Sequence, residues 1–282
     1  MDGKIKSPRV LVHLHLFYKD QADWFVRKLR NISGVRWDFF LTVLDRDEAV
    51  AAKFAEFDPK VIVVPNRGYD VAPFFYVLRR VRLSDYDYVV KMHTKRTRIK
   101  YGKLYNGYYE NGFYRDAAAG ALVGSRSRFS KNIAMFGRDA RLGMVGSRYL
   151  VLDKTLDQIA GWIGLPRLRD HVLPGERVRF VAGTMFMARS GLLAPVLKVK
   201  LDFAPSRKSV HVGTSAHLAE VLFGLFVCRA GFRIEGVGFN LGFVAVNWLV
   251  RLRHFFFYVG HKEGGAKVLR ILRVPIFKWR TR

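Results

Sequence analysis

The chain has 282 residues, half of them hydrophobic, and its 49 Lys and Arg exceed its 23 Asp and Glu to give a formal net charge of +26. A chain this apolar can bury enough surface to offset its ordering entropy, which excludes intrinsic disorder, and a single cysteine excludes disulfide frameworks and multi-cysteine metal sites. The positive charge predicts an anionic partner: phosphate groups, nucleic acid or an acidic membrane face.

Strands and helices alternate along the first third of the chain. The sequence predicts strands over Val10–Phe17, Asp38–Leu44, Lys60–Val64 and Tyr86–Met92, and helices over Asp23–Ile32, Asp47–Phe57 and Pro73–Val81. The strands are nearly continuous apolar runs, which is typical of a parallel sheet buried on both faces. The alternation therefore predicts a doubly wound α/β sheet, in which ligands bind at the carboxyl ends of the strands.

The rest of the chain predicts an insertion, a return to order and a distinct tail. Residues 96–138 are rich in Tyr, Gly, Asn and Arg and are expected to form a helical and loop insertion. Order returns over Arg141–Val145 and Val178–Arg189, and a long helix is expected over Ser215–Gly231, ended by its glycine. We predict one domain over residues 1–245 and a separate tail over residues 246–282.

The tail is strongly basic and aromatic. From Trp248 onward it carries nine Lys and Arg against Glu263 alone, a net charge of +8. Lys267, Arg270 and Arg273 lie three apart, which predicts one cationic face of a membrane-surface helix. The alternative is a helix that packs on the domain and leaves its charges in solvent. No apolar run reaches the roughly 18 residues of a spanning helix, so we expect a cytoplasmic protein, peripheral on the inner face of the membrane.

Two loops follow predicted strands at the edge where ligands are expected. In the first, Asn66 and Asp70 offer groups to a base or ribose, Arg67 offers a partner for phosphate, and Gly68 permits an unusual turn. The alternative is that Asp70 caps the next helix, and spacing slightly favours that role.

The second loop is His93-Thr94-Lys95, where a buried strand emerges. This triplet suits a diphosphate, which Lys95 and Thr94 would hold while His93 donates a hydrogen bond. The alternative is a basic surface turn.

Three further groups of residues are candidates. Gly183 and Thr184 follow a buried strand, where a glycine marks either close approach to a ligand or a bulge. His217 and Glu220 share one helical face, so Glu220 is a possible general base, although a surface charge pair is the commoner reason for such spacing.

His13 and His15 alternate onto one face of the first strand, as a metal pair would. With no carboxylate or cysteine near them in the sequence, histidines of the core or lining a ligand are expected instead. No strand ends in Asp-x-Asp, and the Walker and Gly-x-Gly-x-x-Gly patterns are absent, which sets aside nucleotide hydrolases and dinucleotide oxidoreductases.

Five of these segments, in this order, resemble the rhamnan synthesis protein F family of bacterial polysaccharide and O-antigen enzymes. The matching segments are Val12–Tyr18, Pro65–Asp70, Lys91–Lys95, Ala182–Phe186 and Ala216–Glu220. The resemblance implies a glycosyltransferase, often for rhamnose. It also implies a fold similar to inverting transferases with one nucleotide-binding α/β domain, the GT-A type.

The resemblance implies a role for each candidate residue. Glu220 would deprotonate the acceptor hydroxyl with His217 on the acceptor side, and Lys95, with Arg67 or His93, would stabilise the leaving diphosphate. The donor would be held by residues of the three loops and the first strand: His13, His15, Asn66, Arg67, Gly68, Asp70, Thr94, Gly183 and Thr184. The acceptor would be a lipid-linked saccharide.

Related folds carry an acidic metal-binding triplet where this chain has His93-Thr94-Lys95. Because a charged lysine does not ligate a cation but neutralises a diphosphate directly, we expect metal-independent chemistry without a cofactor. Dependence on Mg²⁺ or Mn²⁺ is the alternative.

Two other classes of protein compete with the transferase. A nucleic-acid-binding protein is compatible with a charge of +26, but the chain has no recognisable binding motif, so we expect no nucleic-acid partner. A non-catalytic scaffold of a polysaccharide assembly complex would retain the fold and bind nucleotide-sugars without turnover.

Overall fold

A seven-stranded sheet forms the centre of the fold. Its strands are β1 (Arg9–His15), β2 (Arg36–Val43), β3 (Lys60–Val63), β4 (Tyr88–His93), β7 (Leu142–Ser147), β10 (Phe186–Arg189) and β11 (Arg233–Val237). They lie in the order β11-β7-β10-β4-β1-β2-β3. β10 is antiparallel to both of its neighbours, and the other neighbouring pairs are parallel. The predicted α/β class with a mostly parallel sheet is confirmed.

The computed structural model describes residues 7–95, 102–104, 107–109, 111–163, 168–206, 213–239, 241–261, 266–272 and 274–280. Its helices are α1 (Ala22–Leu29), α2 (Glu48–Ala52), α3 (Val71–Leu78), α4 (Asn111–Val123), α5 (Arg126–Arg138), α6 (Leu156–Ile163), α7 (Ala194–Leu197), α8 (Ser215–Arg229) and α9 (Leu241–Phe256). Two antiparallel pairs lie outside the main sheet, β5 (Gly102–Leu104) with β6 (Gly107–Tyr109) and β8 (Val151–Thr155) with β9 (Arg177–Val181). No helix of these described stretches is long and apolar enough to cross a lipid bilayer.

Aromatic side chains join α3 and α8 to one face of the sheet. Phe74 of α3 and Phe223 of α8 lie 5.8 Å apart between ring centroids, and both contact Phe186 of β10. All three side chains are fully buried. Burying aromatic surface is among the largest favourable contributions to folding, so this cluster holds both helices against the carboxyl half of the sheet.

The chain divides into two compact units, one of residues 1–95 with 115–239 and one of residues 96–114 with 240–282. The predicted boundary after residue 245 falls inside α9. In the second unit, β12 (Phe257–His261), β13 (Ala266–Ile271) and β14 (Val274–Arg280) form an antiparallel sheet.

The prediction of a tail helix around Lys267, Arg270 and Arg273 is wrong. Lys267 and Arg270 belong to β13, and Arg273 lies outside the described residues. Spacing by three alone does not distinguish a helix from strands rich in branched residues, and β13 pairs with strands on both sides. The helix described in this region is α9, which begins at Leu241, before the predicted start of the tail at residue 246.

Candidate active site

The Asp70 carboxylate is the centre of a buried polar cluster. Lys91 Nζ donates to Asp70 Oδ2 at 2.6 Å, and the Thr184 hydroxyl donates to the same oxygen at 2.5 Å. Lys91 Nζ also donates to Thr184 Oγ1 at 2.8 Å, which closes a triangle of three side chains. Because the Lys91 side chain is completely buried, its charge needs a counter-ion, and Asp70 supplies one.

Three separate elements bring this triangle together. Asp70 directly precedes α3, Lys91 lies near the carboxyl end of β4, and Thr184 lies just before β10. β4 and β10 are neighbours in the sheet, with Lys91 opposite Phe186. The Asp70 side chain makes no capping hydrogen bond to α3, so the prediction that it caps this helix is wrong. The carboxylate instead serves the buried lysine.

Histidines extend the cluster along the sheet. The parallel register places His13 beside Lys91 and His15 beside His93. His13 Nε2 and His15 Nδ1 share the Thr42 hydroxyl at 2.9 and 3.0 Å, and the His13 ring stacks on Phe74. The two predicted donor-binding histidines of β1 are thus buried and bound to a neighbouring strand.

His93 has unused hydrogen-bonding capacity. Its Nδ1 lies 3.2 Å from Asp70 Oδ2 without the alignment of a hydrogen bond, and its buried Nε2 has no hydrogen-bond partner among the residues that the structure describes. A buried polar atom without a partner is costly unless a ligand or water completes it. His93 is therefore available to a bound group at this edge of the sheet.

Burial and charge set the protonation of the cluster. Burial lowers the pKa of His13 and His93 well below the usual value and that of His15 to about 4, so these imidazoles are neutral. Burial also lowers the pKa of Lys91, but the Asp70 carboxylate opposes that effect. For Asp70, burial alone would raise the pKa, whereas the charge of Lys91 and the hydrogen bonds from Lys91 and Thr184 bring it below its usual range. The cluster is an ion pair among neutral histidines.

Glu220 lies on α8, and its carboxyl is hydrogen-bonded to the backbone of Gly183, the residue before Thr184. Burial raises the pKa of its carboxyl to about 8, and the negative charge of Asp70 contributes to the rise. A hydrogen bond from the Gly183 backbone and the charges of Lys95 and Lys91 act in the opposite direction. A carboxylate whose pKa is raised toward neutrality is suited to general acid–base catalysis.

Two turns with left-handed backbone flank the cluster. Gly68 and Tyr69 have φ of +59° and +53°, and Gly183 and Thr184 have φ of +75° and +52°. A Cβ on Gly68 would lie 2.5 Å from Phe203 Cδ1, so that position accepts only glycine without a shift of its neighbours. Positive φ is uncommon for a side chain such as threonine, and such strain concentrates at functional sites.

Asn66 and Arg67 of the first loop contact the segment 203–206. Arg67 Nε donates to the Phe203 carbonyl at 2.7 Å, and the Asn66 carbonyl accepts from Ser206 N at 3.0 Å. Both Asn66 and Arg67 are exposed. Of this predicted donor-binding loop, only Asp70 enters the buried cluster.

The second loop has a structural anchor in Thr94. Its hydroxyl accepts from the backbone N–H groups of Phe17 and Tyr18, both at 3.0 Å. Lys95 is half-buried, and the Gln21 side chain bonds to its backbone. The Lys95 charge lowers the pKa of Glu220 and so opposes the effect of burial on that carboxyl.

His217 lies at the start of α8, beside a small cavity. Its Nδ1 is 2.8 Å from Thr214 Oγ1, and its ring meets the edge of the Tyr69 ring at 6.1 Å between centroids. The cavity has a volume of about 200 Å³ and is lined by residues of the first loop, the segment 203–205 and the start of α8. One turn along the same helix lies Glu220.

Sequence reasoning missed Lys91 and Ser147 as site residues. A lysine inside the apolar run of β4 is a signal in itself, because a fully buried lysine requires an anionic partner. Ser147 ends β7 at the same edge of the sheet, and its buried hydroxyl has no hydrogen-bond partner among the described residues. Nothing in the sequence around Ser147 points to it.

A family model described as rhamnan synthesis protein F matches residues 2–153, more than half of the chain. Two proteins of Xanthomonas campestris pv. campestris, from strains B100 and ATCC 33913, each bear the name "Uncharacterized protein WxcX". Each is 27% identical over 256 residues, which cover 85% of this chain and 34% of the relative. The chain thus spans about a third of the length of these relatives.

Solved structures with a similar arrangement include two nucleotide-sugar enzymes. One is the mannosyltransferase PcManGT from Pyrobaculum calidifontis with GDP-Man and Mn²⁺, at 11% identity and a TM-score of 0.41, covering 89% of this chain and 62% of that one. The other is glucosyl-3-phosphoglycerate synthase from Mycobacterium tuberculosis with Mn²⁺, UDP and glucosyl-3-phosphoglycerate, at 12% identity and a TM-score of 0.37, covering 97% and 90%.

The expectation of metal-independent chemistry is contradicted by these structures, which contain Mn²⁺, and it is withdrawn. The residues described here do not by themselves fit an ion. Asp70 Oδ2 is bound to Lys91 and Thr184, and no three His, Cys, Asp or Glu side chains of the described ranges come together as a metal site.

Proposed function

Because the chain belongs to the rhamnan synthesis protein F family, we propose that it is a glycosyltransferase acting on a nucleotide-sugar donor. The sugar transferred is rhamnose or another hexose, and the acceptor is a lipid-linked saccharide used in cell-surface polysaccharide synthesis. The observation that carries the proposal is the half-buried Glu220 carboxyl, which is hydrogen-bonded to the Gly183 backbone next to Thr184, a member of the buried triangle with Asp70 and Lys91. The carboxyl edge of the sheet is where open α/β folds bind their ligands.

Glu220 is the proposed general base. With a pKa raised to about 8 it is a stronger base than an ordinary carboxylate. It takes the proton of the acceptor hydroxyl as that oxygen attacks the anomeric carbon of the donor. The bond from this carbon to the diphosphate breaks, and its electron pair leaves with the nucleotide. The hydrogen bond between its carboxyl and the Gly183 backbone supports this role, since it holds Glu220 next to Thr184 at the edge where ligands are expected.

Lys95 and His93 are the proposed partners of the leaving diphosphate. Lys91 is committed to Asp70 and Thr184, so its charge is already balanced inside the protein. His93 is neutral and its Nε2 has no described partner, so it donates to a phosphate oxygen as the Nε2–H tautomer, which leaves Nδ1 without a proton on the side of Asp70. Preorganised donors at the point where charge develops are commonly the largest single source of rate enhancement.

Asp70 and the two left-handed turns are the proposed donor-binding elements. The Asp70 side chain is one-fifth exposed and ionised, so it accepts hydrogen bonds from a ribose or base without first losing a proton. Lys91 and Thr184 fix its position, which makes them positioning residues. The cavity between Tyr69 and the start of α8, beside His217, is proposed for the acceptor saccharide.

The test is a panel of nucleotide-sugars, measured first by thermal shift and then by transfer of labelled sugar to saccharide acceptors in buffer with Mn²⁺. A ligand that binds only the folded state raises the melting temperature, so the matching donor is identified before any acceptor is known. The proposal expects a shift with one donor class and transfer that needs Glu220.

Two outcomes contradict this proposal. Binding of nucleotide-sugars with no transfer across the acceptor panel favours the assembly scaffold. Salt-dependent binding of oligonucleotides with no response to nucleotide-sugars favours the nucleic-acid-binding protein.

A further inference from the structure

The exposed side of α9 is apolar. Of its residues with described side chains, the exposed ones are Leu241, Ala245, Trp248, Leu249, Leu252, Arg253, Phe255 and Phe256. At 100° per residue, the seven apolar members of this set fall within one face of the helix, with Arg253 at its border. Trp248 is 69% exposed and Leu241 70% exposed. We call the seven apolar side chains the α9 stripe.

Such a stripe runs against the usual distribution of side chains. Single exposed apolar residues are ordinary, but contiguous ones on one helical face mark an interaction surface. The same unit also exposes Leu272, Val274 and Ile276 around the turn between β13 and β14. The second unit therefore presents apolar side chains from two of its elements.

The charge of the surrounding sequence identifies the partner. Residues 241–262 contain no Asp or Glu, and from Trp248 to the end nine Lys and Arg accompany a single Glu. Charged residues other than arginine are depleted from protein interfaces relative to the rest of the surface. Aromatic and aliphatic side chains on one face, with only cations near them, are instead the pattern of helices that lie in the headgroup region of anionic membranes.

We infer that the α9 stripe is a membrane-binding surface that lies in the plane of an anionic lipid bilayer. A helix of 16 residues is about 24 Å long, shorter than the roughly 30 Å hydrocarbon core, so α9 lies on the bilayer rather than crossing it. The inference rests on the proposed function only for its purpose, which is to bring the active site to a lipid-linked acceptor. It replaces the predicted cationic helix around Lys267 with a different helix and a different set of residues.

The test is co-sedimentation of the full chain with vesicles of phosphatidylcholine, with and without phosphatidylglycerol. The chain is expected to bind the anionic vesicles and to bind pure phosphatidylcholine much more weakly. A double variant, Trp248→Ser with Phe255→Ser, removes two aromatic groups from the stripe and should lower the partition coefficient at least about tenfold. Leu173→Ser is the matched control, because Leu173 is 68% exposed but lies in the other unit. This variant should bind anionic vesicles as the unmodified chain does.

Fluorescence provides a second measurement that does not depend on the double variant being folded. Trp248 emission should shift to shorter wavelength when anionic vesicles are added, and Trp248→Phe should lack that component. Binding that is equal for the double variant and the unmodified chain overturns the inference, as does equal binding to neutral and anionic vesicles. If the unmodified chain instead self-associates and the double variant is monomeric, the stripe is a protein interface and the inference is wrong.

Failure of this inference and failure of the proposed function are distinguishable. Transfer to a water-soluble acceptor in the absence of vesicles should be unchanged in the double variant, because none of its altered residues belongs to the site around Asp70. Intact transfer without vesicle binding by the unmodified chain removes the membrane surface and leaves the transferase in place.

Discussion

The Asp70 cluster and the α9 stripe reverse the ordinary distribution of side chains in opposite ways. Around Asp70, charged and polar groups lie inside the first unit, where Lys91 is completely buried. Along α9, leucines and aromatic residues lie on the outside of the second unit, where Trp248 is more than two-thirds exposed. Each arrangement is unfavourable for an isolated side chain, so each needs a compensating partner.

The two regions differ in where that partner comes from. The Asp70 carboxylate, Lys91 and Thr184 satisfy one another through three hydrogen bonds, so the cluster is stable before any ligand arrives. Among the described side chains of the cluster, His13 Nδ1 and both ring nitrogens of His93 lack a hydrogen-bond partner. The α9 stripe is different, because its apolar groups are exposed in the described structure. A preformed site and an incomplete surface call for different experiments.

The largest expected effect is on turnover. Glu220→Gln keeps the shape of the side chain but does not accept a proton, so transfer should fall by about 10²- to 10⁴-fold while donor binding is retained. Steady-state kinetics with a saturating donor measure the loss. Glu235→Gln is the control, because Glu235 is a half-buried glutamate on the edge strand β11. This variant should transfer sugar at the rate of the unmodified chain. Near-normal transfer by Glu220→Gln excludes it as the base and makes His217 the next candidate.

The second effect is on stability and compares a buried with an exposed ion pair. Lys91→Met leaves the Asp70 carboxylate buried without its counter-ion and should lower the free energy of unfolding by about 3–5 kcal/mol. Lys53→Met breaks the exposed Lys53–Asp23 pair, of similar length at 2.7 Å, and should cost at most about 1 kcal/mol. Urea denaturation of both variants measures the difference. Equal costs would show that the Asp70 cluster is not held by its buried charge pair.

A smaller effect separates the hydroxyl of Thr184 from its shape. Thr184→Val keeps the branched side chain but leaves Asp70 and Lys91 each without one hydrogen-bond partner, which should cost about 1–3 kcal/mol. Thr184→Ser keeps the hydroxyl and should change the free energy of unfolding very little. Thermal denaturation of the pair measures both. A serine variant as unstable as the valine variant would assign the effect to the strained turn rather than to the hydrogen bonds.

The smallest effect is expected at the α9 stripe. Trp248→Ser should change the free energy of unfolding by no more than about 0.5 kcal/mol, since an exposed side chain contributes little to the folded state. Urea denaturation in the absence of lipid measures it. A large loss of stability would mean that Trp248 is buried in solution, and the opposition between the two regions would then disappear.

Most of the fold could be predicted from the sequence, because the apolar runs of β1, β2 and β4 and the helices between them follow their local patterns. The elements that differ from the prediction are those whose conformation depends on long-range packing. The helix expected over Asp47–Phe57 ends at Ala52, and Phe54 turns into the core against Phe39. The strands β13 and β14 replace an expected helix because their partners lie elsewhere in the tail.

The candidate site could be predicted only in part, because long-range packing also decides which of its residues come together. Local motifs single out Asp70, His93, Thr184 and Glu220 as candidates, and the structure places Asp70, His93 and Thr184 in one buried cluster. The role of Asp70 was not evident, because spacing alone equally describes a helix cap, whereas its partner Lys91 is 21 residues away. Contacts of this kind depend on which strands become neighbours, and no local pattern encodes that.

The pH dependence of kcat/KM tests the central claim most directly. Only the ionised Glu220 accepts a proton, and its pKa is raised to about 8, so kcat/KM should increase as pH rises through that value and then level off. Glu220→Gln should retain only residual transfer, without this rising limb. The same limb in the variant, or a profile of the unmodified chain that is flat from neutral into mildly alkaline pH, would contradict the assignment of Glu220 as the base.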